Sequence, residues 1–474
     1  MEGLEVSILS LSQTFENNSA LRLDATYFLK DDLRRIDLLE RRDHELLGSS
    51  CYVTDGIHTS IDFDEGSGIK VLSAKHPKDG FLDLRVHEEI SAASHAANPR
   101  TALRTGDVLI STVGTIGNAA VVQPEVLPAN SDRHVGIIRP LTTADRPLLP
   151  EFLAAFLISS YGRMQSVRET TGNVQPNLFL GKIREMRVAR FSETLEAAIA
   201  RTSVHAHDEL RTQEQRVTAA EQLLLNHFGL ANWTPQEPLA YAAKASKALA
   251  AGRLDAQYFM PAKEQVKHAL AALPGMPLSD RVSSIREQWV PDRAPPTMQV
   301  RNYDVTDALV PLLDAEKEPS FAAEIGSMKK VLRDGDVAVS RLRAYLKEIA
   351  VVRTGDAMPS VGSSEFIVLR PKSADISPET LMVFLRSQPV QTILKWCQDG
   401  SQHPRFSESD LLSIPVPDAV AEASAKVTLI VQEGFAARDR ARRLLYAAKR
   451  AVEIAIEDSE AAALDFLAIA EGAN

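Results

Sequence analysis

The sequence predicts an α+β protein in which two duplicated mixed α/β domains are joined by two long antiparallel helices with pseudo-twofold symmetry. The segment Arg22–Phe28 reads Arg-Leu-Asp-Ala-Thr-Tyr-Phe and recurs as Arg253–Phe259, with six of seven positions identical. Each half carries short β-type runs separated by glycine turns. Each half then continues into a long stretch whose apolar residues recur every three or four positions, which is typical of packed helices.

The repeat extends well beyond this motif. Three further pairs of segments keep their order and nearly the same spacing of about 230 residues: Gly106–Ser111 with Gly335–Ser340, Val135–Pro140 with Phe366–Pro371, and Thr171–Pro176 with Asp399–Pro404. A period of this length is too long for a solenoid repeat and suits one domain plus a connector. The chain is therefore a tandem duplication of one unit.

This periodicity sets the expected domain boundaries. They are residues 1–190 for the first half with the core of its mixed domain at about 41–190, 191–232 for a central long helix, 233–275 for a connector that starts the second repeat, 276–418 for the second domain, and 419–474 for a C-terminal long helix.

The local pattern predicts the elements of the first half in order. Residues 20–40 have the periodicity of a helix, and residues 45–145 have that of short strands. Strands are expected at 108–111 and 119–122, with a glycine turn between them, followed by a helix at 150–166. The second half repeats this order, with one strand expected near Met298–Tyr303.

The two long helices are expected to bury one apolar stripe each. The residues expected to form this framework are Leu195, Ile199, Leu224, Val431, Leu445 and Val452. Both helices are longer than the usual globular helix of about 11 residues, which favours packing of one against the other. The alternative is that each helix packs only on its own domain.

Composition narrows the class of protein. The 474 residues carry a net charge of −10, no apolar run of membrane-spanning length and no basic secretory start, so we expect a cytoplasmic protein without a membrane partner. The two cysteines, Cys51 and Cys397, lie too far apart in sequence to suggest a metal cluster. Residues 41–190 balance 17 Lys and Arg against 17 Asp and Glu, so nucleic-acid binding would depend on the placement of charges rather than on bulk charge.

Common catalytic motifs are missing from the sequence. No Asp or Glu is followed two positions later by Lys, so the usual nuclease arrangement of carboxylates and lysine is lacking. There is also no phosphate-binding G-x-x-x-x-G-K-[ST] loop, no H-E-x-x-H and no amino-methyltransferase motif. His205 and His207 lie two positions apart on an expected helix and face different ways, which disfavours a metal site. We therefore expect a binding protein with no catalytic residues, metal or cofactor.

The repeated motifs resemble those of a known family. Arg-Leu-Asp-Ala-x-Tyr-Phe opens each half, and Gly106–Gly117 reads Gly-Asp-Val-Leu-Ile-Ser-Thr-Val-Gly-Thr-Ile-Gly. Ser340–Leu346 reads Ser-Arg-Leu-Arg-Ala-Tyr-Leu, and Thr171–Leu178 precedes a long helix. Together, in this order, they resemble the specificity (S) subunit of type I restriction-modification systems over essentially the whole chain.

The resemblance implies two target recognition domains, each reading one half of a split site in double-stranded DNA. It also implies that two antiparallel helices set the spacing of these domains and dock DNA methyltransferase (M) subunits, and that a motor-nuclease (R) subunit can join the complex. The family has no catalytic activity of its own, so no cofactor is implied.

Candidate DNA contacts come from the chemistry of the loops that the resemblance locates. Arg and Lys suit phosphates and guanine edges, whereas Asn and Gln suit adenine edges. The candidates are Lys75, His76, Lys78, Thr112, Thr115, Asn118, Asn173 and Gln175 in the first half, and Arg301, Asn302, Tyr303, Arg341, Arg343, Lys347, Gln402, His403 and Arg405 in the second. We expect Arg301–Tyr303 to occupy the place of Lys75–Lys78, and Arg343 and Leu346 those of Gly114 and Gly117. Each candidate has the alternative of being an ordinary solvated side chain.

Two other classes of function stay open from sequence. One is a protein-only scaffold with two duplicated interaction domains. The other is an enzyme with an unrecognised nuclease or methyltransferase site.

Overall fold

The structure, a computed structural model, describes residues 8–15, 18, 21–143, 145–172 and 176–472. The chain divides into two compact units, the first formed by residues 1–211 and 438–474 and the second by residues 212–437. Both long helices cross this division. The fold is α+β, with mixed sheets and helices in each unit.

The elements of the first unit follow the predicted order. Its strands are β1 (His44–Leu46), β2 (Cys51–Asp55), β3 (Lys70–Leu72), β4 (Glu88–Glu89), β5 (Val108–Ser111), β6 (Ala119–Val121), β7 (Ala129–Ser131), β8 (Val135–Pro140) and β9 (Arg187–Ala189). Its helices before the long central helix are α1 (Leu11–Phe15), α2 (Lys30–Glu40), α3 (Leu47–Ser50), α4 (Ala92–Ala97), α5 (Pro150–Ile158), α6 (Ser160–Arg168) and α7 (Leu180–Glu185).

The long central helix α8 (Glu193–Phe228) then passes into the second unit. The other helices of that unit are α9 (Ala245–Ala251), α10 (Pro261–Ala271), α11 (Leu278–Arg281), α12 (Pro378–Arg386), α13 (Gln388–Cys397) and α14 (Glu408–Leu412). The long C-terminal helix α15 (Ala419–Glu457) returns to the first unit and is followed by α16 (Glu460–Gly472).

The second unit has its own set of strands. They are β10 (Gly275–Pro277), β11 (Val282–Ile285), β12 (Gln288–Trp289), β13 (Gln299–Tyr303), β14 (Leu312–Asp314), β15 (Ser320–Phe321), β16 (Lys329–Leu332), β17 (Val337–Ser340), β18 (Ile349–Arg353), β19 (Ser360–Gly362), β20 (Phe366–Pro371) and β21 (Pro415–Pro417).

The two units build their sheets on the same plan. In the first, the order β2-β8-β5-β6 is entirely antiparallel, and a second sheet has the order β4-β3-β7. In the second, the orders are β11-β20-β17-β18-β14 and β12-β16-β19-β13-β15. The strands β5 and β17 are buried at every position, as expected of central strands covered on both faces.

One buried ion pair repeats in the two main sheets and explains two of the repeated motifs. Asp107 accepts hydrogen bonds from Arg139 Nε (2.6 Å) and Nη2 (2.7 Å) and from the Arg104 amide (2.8 Å). Asp336 accepts from Arg370 Nε (2.7 Å) and Nη2 (2.9 Å). The Asp of Gly-Asp-Val is thus bound to the Arg that precedes Pro140 or Pro371, so the repeated residues stabilise the main sheet of each unit.

Two of the predicted helices differ from the structure. The helix expected over residues 20–40 begins only at Lys30, because the Arg-Leu-Asp motif is extended and Ala25–Phe28 forms a short 3-10 turn. The helix expected over residues 150–166 is interrupted at Ser159, whose extended backbone ends α5 and whose side chain accepts a hydrogen bond from the Gly162 amide at the start of α6.

Within each unit, α8 and α15 run antiparallel and contact each other. In the first unit, Glu209 Oε2 pairs with Arg440 Nη2 at 2.9 Å, and Ala206 packs with Leu444 and Leu445. In the second unit, Arg216 pairs with Glu433 and, eleven residues later, His227 pairs with Glu422. The predicted apolar stripes lie at these contacts, and all six framework residues are buried: Leu195, Ile199, Leu224, Val431, Leu445 and Val452.

Among the residues that the structure describes, no helix has both the length and the apolar character needed to cross a membrane. Cys51 is buried in the first unit and Cys397 in the second, and burial raises the pKa of each thiol to about 12.

Candidate nucleic-acid interface

The repeated Arg-Leu-Asp motif holds the C-terminal end of one helix in the first unit. Arg22 Nη1 donates to the backbone carbonyl oxygens of Arg168 (2.6 Å) and Thr170 (2.8 Å). Asp24 accepts hydrogen bonds from Nε and Nη2 on the other edge of the same guanidinium. The Arg168 guanidinium carbon lies 3.5 Å from the centre of the Tyr27 ring. Because the last carbonyls of a helix have no hydrogen-bond partner within it, a cation placed there satisfies them and interacts favourably with the negative end of the helix dipole.

The second copy also binds the end of a helix, with slightly different partners. Arg253 Nη1 and Nη2 donate to the carbonyl oxygens of Cys397 (3.2 Å) and Gln398 (3.0 Å), and Asp255 pairs with Arg253. The ring of Tyr258 is covered by Lys263 Nζ at 3.2 Å from its centre. In both units the motif therefore fixes the helix end from which a candidate recognition loop departs.

Three loops meet beside this helix end in the first unit. The turn after β5 is joined to the segment before β8 by a hydrogen bond from the Thr112 amide to the His134 carbonyl (3.2 Å). The Leu178 amide donates to the Thr112 carbonyl (2.9 Å), and Thr171 and Asn177 exchange two backbone hydrogen bonds at the base of the third loop. The predicted loops at 112–118 and 171–178 are thus brought together.

The second unit repeats this arrangement bond for bond. The Arg341 amide donates to the Glu365 carbonyl (3.1 Å), and the Phe406 amide donates to the Arg341 carbonyl (3.2 Å). Asp399 and Arg405 exchange two backbone hydrogen bonds, both of 2.8 Å. We refer to this arrangement as the three-loop platform. It consists of Thr112, His134 and Asn177 in the first unit and of Arg341, Glu365 and Arg405 in the second.

The side chains of the two platforms differ although the backbone bonds are the same. Glu365 binds Arg341 Nε (2.7 Å) through one oxygen and Arg405 Nη2 (2.9 Å) through the other, so two exposed guanidinium groups are held side by side. The hydrogen bonds from Arg405 and, to a lesser extent, from Arg341 keep the pKa of Glu365 below its usual range, although partial burial acts in the opposite direction. At the three corresponding positions the first unit has Thr112, His134 and Asn177, and His134 Nδ1 lies 3.2 Å from Asp132 Oδ2. The two platforms thus offer different chemistry on one scaffold.

The turn between the two central strands also differs between the units, and the structure corrects the sequence alignment there. The Ser111 amide donates to the Asn118 carbonyl (2.8 Å), and the Ser340 amide donates to the Glu348 carbonyl (2.9 Å), so the second turn is one residue longer. Gly114 then corresponds to Arg343, as predicted, but Gly117 corresponds to Lys347 and not to Leu346. All four residues have positive φ: 67° and 82° for the glycines, and 44° and 52° for Arg343 and Lys347. Two basic residues therefore adopt a left-handed backbone conformation that normally favours glycine.

Several predicted contact residues of the first unit lie inside the fold. His76 is 1% exposed, with Nδ1 accepting from the Ser73 amide (2.7 Å) and Nε2 directed at the Val86 carbonyl (3.1 Å). Burial lowers the pKa of His76, which is consistent with a neutral ring in this position. Thr112 is also buried, and Asn118 accepts a hydrogen bond from Arg163 (3.0 Å).

The placement of Arg301, Asn302 and Tyr303 differs from the expectation. They lie within β13, which pairs in parallel with β19 as β3 pairs with β7, so Arg301 corresponds to Lys70 and not to the Lys75 loop. Arg301 forms a bidentate pair with Asp356 (2.6 Å for both bonds), and the Tyr303 hydroxyl donates to the Asp314 carbonyl (2.6 Å). Arg22 and Arg253 are 231 residues apart, and the same separation relates Lys70 to Arg301. The sequence comparison failed because it matched these residues by their place after a strand and not by this separation.

The remaining candidates lie at or near the surface. Lys75, Thr115, Gln402 and His403 are exposed, and Lys78 is half-buried. His403 Nδ1 lies 3.4 Å from Arg343 Nη2, which places the Gln402–His403 loop beside the basic turn. Asn173 and Gln175 fall outside the described residues.

Sequence reasoning missed Glu365, His134 and Asn177 as members of the platforms. Glu365 and His134 stand at the same place before β20 and β8, and they differ in charge. When the two repeats are aligned, such residues are the positions at which the backbone hydrogen bonds are the same and the side chains differ in charge or polarity. Within the described ranges, no group of three or more His, Cys, Asp or Glu side chains is arranged to hold a metal ion.

No protein-family model matches the sequence, and no curated protein matches it either. Among solved structures, the chain is similar to the S subunit of a type I restriction-modification system from M. genitalium, with 11% identity, a TM-score of 0.38, and coverage of 86% of this chain and 94% of that chain.

Two further structures are similar at this level. One is a chain from a study of complex assembly and conformational transition of the type I R-M system, with 15% identity, a TM-score of 0.28, and coverage of 88% and 97%. The other is the HsdS subunit of Thermoanaerobacter tengcongensis, with 14% identity, a TM-score of 0.26, and coverage of 88% and 96%. Over most of its length, the chain is thus similar to two S (HsdS) subunits and to a further chain from a type I R-M system.

Proposed function

We propose that this protein is the DNA-sequence specificity subunit of a type I restriction-modification complex or of a related defence complex. Each unit reads one half of a split site in double-stranded DNA, and the protein positions a DNA methyltransferase on that site. The protein itself has no catalytic role in this proposal, and the protein-only scaffold is the alternative against which it is tested.

One observation carries the proposal. The two units repeat the same backbone hydrogen bonds around the three-loop platform, yet they place unlike side chains on it. A scaffold that binds two copies of one protein would need like surfaces, whereas a reader of two different half-sites needs a constant backbone and variable side chains. The motifs quoted above, which resemble those of S subunits, support the same interpretation.

The side chains suggest which bases each unit reads. In the second unit, Arg341 and Arg405 expose guanidinium groups next to each other, with Arg343 and Lys347 in the adjoining turn. Arginine recognises the O6 and N7 acceptors of guanine. In the first unit, Asn177 can pair with the N6 and N7 edge of adenine. We therefore assign a guanine-containing half-site to the second unit and an adenine-containing half-site to the first.

The buried candidates are left out of the proposed interface. His76, Thr112, Asn118, Arg301 and Tyr303 are used in holding the loops and sheets. Lys75, Lys78, Thr115, Gln402 and His403 stay in it as surface residues near the loops, and Asn302, which is half-buried in β13, does not.

The proposed methyltransferase contact lies on the outward sides of the long helices. The six framework residues are buried and are therefore not available to a partner. Exposed apolar residues of these helices include Val204, Leu429 and Tyr446. Docking of the motor-nuclease subunit is proposed only as part of the same complex, with no residues assigned to it.

A salt titration of duplex binding, with the methyltransferase subunit present, tests the proposal. A protein that neutralises several phosphates should lose orders of magnitude in affinity between about 50 and 200 mM salt. A protein-only scaffold would have no duplex affinity to lose. Cleavage or methylation of DNA by this chain alone would support an enzyme instead.

A further inference from the structure

Beside the platform of the second unit lies a small pocket that Arg341 borders together with residues to which no base contact is assigned. It has a volume of about 70 Å³, and its polar lining comes from Ser284, Arg286, Lys330, Arg341, Ser364 and Glu408. A cavity of about 150 Å³ holds one benzene molecule, so this smaller, polar pocket suits a small anionic group better than a whole nucleobase.

The charge of the pocket favours an anion. Three cations line it against a single carboxylate, Glu408, whose Oε1 is bound by Arg286 Nη2 at 3.0 Å. Arg341 contributes its guanidinium and is also tied to Glu365. Lys330 forms no ion pair or side-chain hydrogen bond within the described part of the chain, although its side chain is half-buried. Lys330 interacts electrostatically with Glu408 but makes no direct hydrogen bond to it, and Glu408 is already bound by Arg286. An anion in the pocket would therefore give the half-buried ammonium group a direct partner.

The cations of the pocket are fixed by strands rather than carried on a mobile segment. Lys330 lies in β16, opposite Gln288 of β12 on one side and Gly362 of β19 on the other. Arg286 follows β11 directly, and Arg341 follows β17. The sheets therefore set the backbone positions from which the three cationic side chains reach the pocket.

We propose that this pocket binds one backbone phosphate of the DNA and fixes the register of the second unit on the duplex. The inference rests on the proposed function and deepens it. Lys330 and Arg286 position the duplex without reading sequence, whereas Arg405 on the far side of Arg341 reads a base.

The test compares Lys330→Ala with Lys372→Ala in the complex with the methyltransferase, using a random-sequence duplex as the probe. Lys372 follows β20, in the other sheet of the unit, and its Nζ donates to the Ser279 carbonyl (2.8 Å), so Lys372→Ala removes the same charge at a residue that does not line the pocket. One lost phosphate contact lowers the slope of log affinity against log salt by about 0.9. The affinity ratio of wild type to Lys330→Ala should therefore shrink by about 3.5-fold between about 50 and 200 mM salt.

For Lys330→Ala we expect the reduced slope with base preference unchanged, and for Lys372→Ala the wild-type slope. Thermal unfolding of both variants confirms that each is folded. A wild-type slope for Lys330→Ala, or a changed base preference, would overturn the phosphate site while leaving the proposed function standing. If the wild-type complex itself shows no duplex affinity, the proposed function fails and the inference fails with it.

Discussion

Arg343 and Lys347 provide a test in which stability and DNA binding should move in opposite directions. Both residues have positive φ at positions where the first unit has Gly114 and Gly117. A residue with a side chain pays about 1–2 kcal/mol in this conformation, and glycine costs about 0.5–1 kcal/mol in conformational entropy on folding. Arg343→Gly or Lys347→Gly should therefore stabilise the folded protein by about 0–1.5 kcal/mol each.

The hydrogen bonds at these positions support this magnitude because they come from the backbone. The Lys347 carbonyl accepts from Arg386 Nη1 (2.6 Å) and from the Ile349 amide (2.8 Å), and the Arg343 carbonyl accepts from the Leu346 amide (2.8 Å). A glycine keeps all of these backbone bonds, and Arg343→Gly loses the long contact from Nη2 to His403 Nδ1 (3.4 Å). For a unit of this size, about 1 kcal/mol corresponds to about 2–4 °C in Tm, so each variant should have an unchanged Tm or one raised by up to about 6 °C.

Duplex binding should weaken in the same variants. If each side chain contributes at least about 1 kcal/mol, the double glycine variant loses roughly 30-fold in affinity. The matched control is the double alanine variant, which loses the same side chains but keeps the strained backbone, so its affinity should fall equally while its Tm does not rise. The assays are scanning calorimetry and fluorescence anisotropy with the methyltransferase present. A lowered Tm with unchanged affinity in the glycine variant would refute the reasoning.

Four further predictions follow from the same contacts. Arg341→Ala with Arg405→Ala should relax base preference in one half-site and leave the other intact, as measured by selection from a random duplex library; an equal loss in both halves would contradict separate readers. Gly114→Ala should lower Tm because alanine is unfavourable at the positive φ of this residue, while the added Cβ would meet no heavy atom within 4 Å. Each kcal/mol of this backbone strain corresponds to about 2–4 °C in Tm, and an unchanged Tm would argue against the prediction. The hydrogen bond from Arg22 is the main cause that lowers the pKa of Asp24 from 3.8 to about 2. The contribution of Asp24 to stability is therefore present above pH 3.8 and is lost as the pH falls toward 2. Asp24→Asn should reduce the loss of stability over this interval in acid titrations followed by circular dichroism. Tyr446→Asp should weaken co-purification of the methyltransferase without lowering Tm, because this side chain is 58% exposed on α15; full co-purification would place the docking surface elsewhere.

The sequence predicted the duplication, the central strands and the long helices because these depend on periodicity and on repeated residues. The apolar stripe from Leu195 to Leu224 and its partner from Val431 to Val452 are read directly from spacing of three and four. The α+β fold class is confirmed. The break at Ser159 was missed because a single capping serine interrupts an otherwise continuous apolar pattern.

The candidate site was less predictable because it depends on loop lengths and on long-range hydrogen bonds. Arg301 looked like a loop residue after a strand, but its guanidinium is bound to Asp356, more than fifty residues away. Glu365 gave no signal of its own, since only the folded chain brings it between Arg341 and Arg405. The hydrogen bonds from Arg22 and Arg253 to helix ends were likewise not evident from the sequence, although the repeated motif itself was.

Sequencing of methylated bases in the host genome, with and without this chain, tests the central claim most directly. The account predicts a split motif with two unlike half-sites that disappears when the chain is removed and changes in one half only when Arg341 and Arg405 are replaced by alanine. An unchanged methylation pattern on removal, or a change in both halves together, would contradict it.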